Sequence, residues 1–297
     1  MIKKTSFILI LLCLFSINIF SQKKNTSIIK GKKPIYLQLY SVRDDIRKDF
    51  KSTITAVAKA GYTGIEAAGY KDEKFYGLSP NEFKKAINSV GMEVLSSHTG
   101  ISLAKDVQKT DWDAVWKWWD MAIAAHKAAG MKYIVKPSMP VPKTLADLKV
   151  YCDYYNKVGE KCNDAGLKFG YHNHAFEFEK IEGELMYDFM LKNTDPTKVF
   201  FQMDVYWTVI GKKGPVDYFN EYPGRFEMLH IKDNKELGQS GMVGFDAIFK
   251  NTAKAGAKYM VVEVERYNYE PLESIKLSYD YLKSNPYFKV GKNRCSK

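Results

Sequence analysis

Residues 165–174 read Ala165-Gly166-Leu167-Lys168-Phe169-Gly170-Tyr171-His172-Asn173-His174. A small residue and a glycine close the preceding stretch, an apolar run follows, and two imidazoles end it. Glycine just past a helix takes the left-handed cap conformation without the Cβ penalty, so the phrase predicts a helix end feeding a strand. The same phrase recurs at Ala60-Gly61-Tyr62, Val90-Gly91-Met92, Ala129-Gly130-Met131 and Ala255-Gly256-Ala257. Working outward from these marks, eight strands are expected: Ile35–Tyr40, Thr63–Ala67, Met92–Ser97, Lys132–Lys136, Leu167–His172, Val199–Asp204, Phe226–Ile231 and Tyr259–Val264.

The stretches between them carry helix signals. Ser79-Pro80-Asn81-Glu82 has a capping serine, proline at the first helical position and glutamate three residues after the cap. Thr110-Asp111-Trp112-Asp113 opens a long helix to about Ala129, and Thr144 with Asp147 opens the next. Trp112, Trp116 and Trp119 fall at i, i+4, i+7, the spacing of a helix face turned to the core. Eight strand-then-helix units predict an α/β fold, a (β/α)₈ TIM barrel, formed by residues 35–288 as a single domain. The rival is a doubly wound open sheet. Against it, the first strand runs into Tyr40-Ser41-Val42-Arg43, with no glycine-rich phosphate loop.

Charge is unevenly placed along the 297 residues, whose formal net charge is +11. Residues 1–33 hold Lys3, Lys4, Lys23, Lys24, Lys30, Lys32 and Lys33 and no acid; residues 289–297 hold Lys289, Lys292, Arg294 and Lys297 and no acid. Residues 34–288 therefore carry 34 bases and 34 acids. A nucleic-acid-binding surface needs its positive charge on the folded domain, so no nucleic-acid partner is expected. Lys3 and Lys4 precede the uncharged run Phe7–Phe20, too short for a membrane span. This predicts a signal peptide over 1–21, cleaved after Ser21, and an exported, periplasmic product with no membrane association after cleavage. Cys13 raises a lipoprotein reading, opposed by Leu11 and Leu12 where small residues are expected. Residues 22–34 read as a flexible basic leader and 289–297 as a basic tail. Cys152 and Cys162 lie ten apart in one expected helix, on different faces, and Cys295 lies in the tail. No disulfide framework is expected.

In a barrel of this kind the active site lies at the C-terminal ends of the strands. The polar residues there are Gln38, Glu66, His98, Lys136, His172 with His174, Asp204, His230 with Lys232, and Glu263 with Glu265. His126, the fifth histidine, falls inside a helix and reads as a surface or satisfied helix residue. Residues two apart in a strand share a face, which pairs His172 with His174, His230 with Lys232, and Glu263 with Glu265. Asp204 ends an otherwise apolar strand apart from Gln202, where a carboxylate is costly unless paired or bound to a cation. His172, Asp204, His230 and Glu263 form a mixed N/O set that suits Mn, Fe, Co, Zn or Ni better than Ca.

With these residues the chain resembles the xylose isomerase-like TIM barrels known as sugar phosphate isomerases/epimerases. The likeness runs from about Ile35 to Phe288. It rests on Leu37-Gln38-Leu39-Tyr40-Ser41-Val42-Arg43, Gly64-Ile65-Glu66, Tyr171-His172-Asn173-His174, Met203-Asp204-Val205, His230-Ile231-Lys232-Asp233 and Val261-Val262-Glu263. The resemblance implies one divalent metal ion, with Mn, Zn, Co, Fe or Mg as candidates, held by residues of strands five to eight. It also implies proton transfer next to a carbonyl of a sugar or polyol. Asp204 and His230 match family ligands, and Glu263 matches the strand-eight glutamate, with Glu265 as its substitute. His172 departs from the pattern, because epimerases place a glutamate there that binds metal and moves a proton. A histidine resembles the inosose dehydratase branch and favours elimination or hydration at a keto sugar over simple epimerisation.

On this reading Glu263 or Glu265 is the base and His174 or Lys232 the acid or oxyanion partner. Gln38, Glu66, His98, Lys136 and Trp207 are candidate substrate contacts. Export favours a non-phosphorylated sugar or keto-sugar, and a homodimer is the commonest symmetric assembly. Two other functions share the barrel. One is a non-catalytic sugar-binding protein with an aromatic rim of Tyr40, Tyr70, Tyr206, Trp207 and Tyr267. The other is an endonuclease IV-like DNA repair enzyme, which needs a three-metal cluster richer in histidine than a chain with 5 histidines offers.

Overall fold

The computed structural model describes residues 34–288. The expected signal peptide, leader and basic tail lie outside the described residues, apart from Pro34. Eight parallel strands close into a barrel: β1 Tyr36–Gln38, β2 Gly64–Ala67, β3 Glu93–His98, β4 Tyr133–Lys136, β5 Lys168–His172, β6 Val199–Asp204, β7 Met228–Lys232 and β8 Tyr259–Glu263. Each pairs with its neighbours in sequence, and β8 closes on β1 through Tyr36↔Val261. This is the (β/α)₈ TIM barrel expected from the repeated phrase, and all five phrase glycines have positive φ.

The strand bounds differ from expectation mainly where the backbone turns onto the rim. β1 ends at Gln38 because Leu39–Val42 coils into a 3₁₀ turn, its start capped by the Gln38 side chain. β3 and β7 run one residue further, to His98 and Lys232. The helix starts follow the sequence signals. Ser79 and Glu82 form a reciprocal capping box, Asp111 caps Trp112–Ala128, and Thr144 caps Leu145–Asp164. Of the tryptophan stripe, Trp119 is fully buried and donates its indole N–H to Tyr154 Oη at 2.6 Å. Trp112 and Trp116 pack against the core from partly exposed positions. Cys152 and Cys162 are buried and unpaired. His126 is buried rather than on the surface: its Nδ1 lies 2.6 Å from the Ala122 carbonyl, and its ring packs on Tyr70 and Phe75. Burial pushes its pKa down to about 4. Among the described residues, no helix is long and apolar enough to cross a membrane.

Two apolar cores result. The larger fills the layer between strands and helices; the smaller is a plug inside the barrel made by Tyr36, Leu95, Tyr133, Val135, Phe200, Met228 and Val261. The plug is aromatic because glycine leaves it room. A Cβ on Gly170 would lie 2.5 Å from the Phe200 ring, and one on Gly64 would lie 2.7 Å from the Tyr36 ring. Below the plug, Glu227 accepts from Tyr133 Oη (2.8 Å) and from Lys168 (2.7 Å) and Lys258 (2.8 Å). The barrel floor is therefore closed, and chemistry is confined to the upper rim.

Overpacking a tight core costs about 1–3 kcal/mol. Gly170→Ala should therefore lower stability by that amount in urea denaturation. Adding Phe200→Leu should return part of it, because the same ring is the obstacle.

Candidate metal centre

Directly above the plug sits a buried carboxylate, Glu66, at the upper end of β2. The register against β3 slips between Ile65 and Glu66. Its Oε1 accepts from Gln38 Nε2 at 2.8 Å and from His230 Nε2 at 2.6 Å; Oε2 accepts from Ser96 Oγ at 2.7 Å and Gln202 Nε2 at 2.8 Å. His98 Nε2 approaches Oε1 at 3.1 Å. Burial would raise the pKa of Glu66, but His98 and His230 outweigh it and hold the carboxyl well below its usual range. Every donor on this carboxylate comes from the protein, and Glu66 is fully buried.

This anchor sets the proton positions above it. An ionised Glu66 requires His230 to donate from Nε2, which turns Nδ1 to the other side. There Nδ1 faces Glu263 Oε2 at 3.4 Å and Asp204 Oδ2 at 4.0 Å. Gln202 donates through Nε2 to Glu66, so its Oε1 accepts from His98 Nε2 (2.7 Å) and His172 Nδ1 (3.1 Å). That fixes the proton of His172 on Nδ1 and leaves Nε2 its lone pair. Asp204 ends β6 and caps the short helix Val205–Ile210, its Oδ1 accepting from the Trp207 N–H at 2.8 Å. Asn173 holds the Asp204 backbone, with its Oδ1 accepting from the Asp204 N–H at 3.1 Å.

His172, Asp204, His230 and Glu263, all buried, each offer a ligand atom within 4.8 Å of the others. Two of these atoms, Asp204 Oδ2 and His230 Nδ1, are buried without a hydrogen-bond partner. A buried unsatisfied carboxylate oxygen and ring nitrogen are costly. The pKa shifts point the same way. Burial raises Asp204 to about 7. Burial would lower His230, but Glu66 and Glu263 overcome it and raise it to about 10. Both groups hold protons that a bound cation would displace. The four residues fit a divalent metal, and the Glu66–His230 pair is the outer carboxylate–imidazole contact that orients such a ligand.

Glu263 and Glu265, interchangeable by strand parity, part company here. Glu263 joins the cluster, whereas Glu265 Oε2 pairs with Lys232 Nζ at 3.0 Å. Lys232 is 1% exposed and lies over the Tyr206 and Trp207 rings, 5.1 and 5.6 Å from their centroids. His174 leaves the cluster for the rim. Its ring is 5.0 Å from that of His172 and 5.7 Å from Trp207, and burial lowers its pKa to about 4. Lys136 turns to the Ile101 carbonyl at 3.3 Å, its stem lying over Gly100, and burial lowers it to about 8. An open cavity of about 640 Å³ adjoins the cluster, with His174, Trp207 and Phe176 on its wall.

Sequence reasoning did not single out Gln202 or Asn173 as site residues, though both carry a signal. Gln202 interrupts an apolar strand two residues before Asp204, and Asn173 stands between the two histidines of β5's end. Glu177 carries none. It is buried, accepts from Tyr171 Oη at 2.7 Å and the His174 N–H at 2.8 Å, and burial raises it to about 7.

A family model described as xylose isomerase-like TIM barrel matches residues 54–285. The chain belongs to that family. It is similar to a sugar phosphate isomerase/epimerase of Parabacteroides distasonis, at 35% identity and TM-score 0.80 over 86% of this chain and 100% of that one. It is 24% identical over 204 residues to the inosose dehydratase of Clostridium beijerinckii, 62% of this chain and 63% of that protein. The chain thus spans about six-tenths of the length of the curated relatives it matches first. The zinc-bound IOLI protein shares the fold at 13% identity and TM-score 0.65, over 83% of this chain and 95% of that one.

Asp204→Asn and His230→Gln should purify folded but without stoichiometric metal, as read by elemental analysis beside circular dichroism. Glu66→Gln should keep the ligands yet weaken metal binding about 10–100-fold.

Proton and metal compete for the same lone pairs. Below pH about 7 an ion must displace protons from both Asp204 and His230; between about 7 and about 10 it displaces the His230 proton alone. Metal affinity therefore rises with pH. The slope of log affinity against pH should be about two below pH 7 and about one above it, measured by calorimetry in paired buffers.

Proposed function

We propose that this protein is a divalent-metal-dependent enzyme acting next to a carbonyl of a non-phosphorylated sugar or polyol, by elimination or hydration at a keto sugar. The observation that carries the reading is the cluster of two imidazoles and two carboxylates with two unpartnered ligand atoms, set beside an open cavity. A divalent ion bound there supplies Lewis-acid polarisation of a carbonyl and its neighbouring hydroxyl.

The chain's own residues supply the rest. Elimination takes a proton from the carbon beside the carbonyl and expels the β-oxygen with a proton, giving an enone and water or an alcohol; hydration is the reverse. Lys232 is an ammonium partner for that β-oxygen. It is buried, fixed by Glu265 and walled by Tyr206 and Trp207. Glu265 is the base that remains outside the ligand set, a carboxylate at the cluster's edge. His174 is held neutral by burial at neutral pH, so it accepts or relays a proton rather than starting as the acid. His98, its ring 4.8 Å from that of His172, and Lys136 would orient hydroxyls.

His172 separates this reading from epimerisation. An epimerase works on two faces of one carbon and needs a base on each. Here the β5 position offers an imidazole whose Nδ1 is committed to Gln202, so that only Nε2 would be left to hold a metal ion. The names of the relatives, an isomerase/epimerase and inosose dehydratases, span both chemistries. The Lys3–Phe20 pattern supports export, where phosphorylated sugars are scarce.

The test pairs 3-keto-glycosides with free ketoses in deuterium oxide, using metal-loaded protein. Formation of an enone, or of its hydration product, with solvent deuterium beside the carbonyl supports the reading. Epimer formation alone overturns the choice of elimination, and cleavage of abasic DNA overturns the whole. General acid–base groups contribute about 10²–10⁴-fold, so Lys232→Met should lower kcat by that factor while metal content stays at the wild-type level.

A further inference from the structure

The cavity of about 640 Å³ is not the metal cluster itself, since none of the four cluster residues lines it. It joins the cluster through two shared walls. His174 has its ring 5.0 Å from the ligand His172 and stacks on Phe176 at 5.8 Å with only 9° between planes. Trp207 lies 5.6 Å from the Lys232 ammonium and also lines the cavity. A reacting sugar seated at the cluster and against Lys232 would leave this space beside it.

The chemistry of the walls is specific. Phe176, Phe178 and Trp207 give aromatic surface; Glu179 and Lys212 add a carboxylate and an ammonium. Phe178 forms its wall because Gly211 has no side chain, a Cβ there falling within 2.3 Å of the ring. Ser138 adds a hydroxyl to the same wall. Aromatic faces with a few polar groups and a volume within about 300–1,000 Å³ describe a small-molecule site. A flat ring carrying hydroxyls satisfies both halves of that lining: its faces stack on the aromatics and its edge meets the polar groups.

We propose that this cavity is the subsite for the ring attached to the reacting sugar, so the substrate is a glycoside with a ring-bearing second group, an aryl group or a second sugar, rather than a free monosaccharide. The inference rests on the functional reading above for which sugar reacts, but the subsite is tested without turnover.

The probes are non-keto compounds that cannot react: 4-nitrophenyl glucoside and methyl glucoside, each as α and β anomers, with cellobiose as a two-sugar probe. Binding to the full-length protein is measured by calorimetry and ligand-observed NMR, with metal and after chelation. At least one anomer of the aryl glucoside, or cellobiose, should bind about tenfold or more tightly than methyl glucoside. Ile210→Trp, which fills the cavity from its wall, and Phe176→Ala, which removes the stacked face, should both erase that preference while metal content stays at the wild-type level. Equal affinities for all probes, no detectable binding of any ring-bearing probe, or a preference that survives both variants overturns the subsite. The two failures are distinguishable. Ring preference in a protein that takes up no metal overturns the metal-enzyme reading and keeps the subsite. Metal-dependent exchange on free ketoses without ring preference does the reverse.

Discussion

The upper half of this barrel depends on one buried charge. Glu66 is sealed from solvent, and its two oxygens gather Gln38, Ser96, Gln202, His98 and His230 from four other strands. A lone carboxylate in such a place costs several kcal/mol. The donors offset that cost only by taking fixed orientations. Those orientations propagate upward: His230 must present Nδ1, and Gln202 must present its carbonyl oxygen to His98 and His172. The ligand geometry is thus decided one layer below the ligands. The aromatic plug supports that layer from beneath, which ties the inward glycines at 64 and 170 to the site above them.

The next layer holds the opposite imbalance. Where Glu66 has a full set of donors, Asp204 Oδ2 and His230 Nδ1 have none. A folded chain has three ways to relieve such atoms: a proton, a water or a cation. Protons are the poorest solution at neutral pH, because Asp204 titrates at about 7 and would spend half its time unrelieved. A divalent ion relieves both atoms and the Glu263 carboxylate at once. Rigid support below and unmet demand above is the arrangement expected of a preorganised metal site, with ligand positions set by the fold before the ion arrives.

Much of this was legible in the sequence, for physical reasons. The helix–glycine–strand phrase reports backbone constraints that act over a few residues, so strand order and rim residues followed from it. Strand parity set His230 beside Lys232 and Glu263 beside Glu265, and the cost of a carboxylate ending an apolar strand singled out Asp204. Parity could not choose between Glu263 and Glu265, because both satisfy it; the choice depends on height along the barrel axis and on Lys232 drawing Glu265 away. Nor could it show that Glu66 turns its charge into the protein and not toward substrate. That outcome is set by donors from strands far apart in sequence, as the spans of its hydrogen bonds show, up to 164 residues to His230. His126 stayed open between a surface and a satisfied helix residue for the same reason: its cover comes from Tyr70 and Phe75, distant in sequence, and their packing on it has no local signature.

The imidazole at position 172 has an electrostatic consequence that bears on the chemistry. Two carboxylates among four donors balance a divalent ion, leaving the ligand set and ion neutral together. A glutamate at 172 would leave one net negative charge. Removing a proton beside a carbonyl builds negative charge on the substrate oxygen. A unit negative charge about 4 Å away opposes that by ~4 kcal/mol at an effective dielectric of about 20. His172 removes that repulsion and removes a base in the same step. On the proposed reading, such a site would be better at holding an enolate than at returning a proton to its second face. In the elimination we propose, an enolate beside the buried Lys232 would be resolved by losing the β-oxygen. The single departure from the epimerase ligand pattern and the Lys232–Glu265 pair therefore favour the same outcome for independent reasons: one slows reprotonation, and the other assists departure.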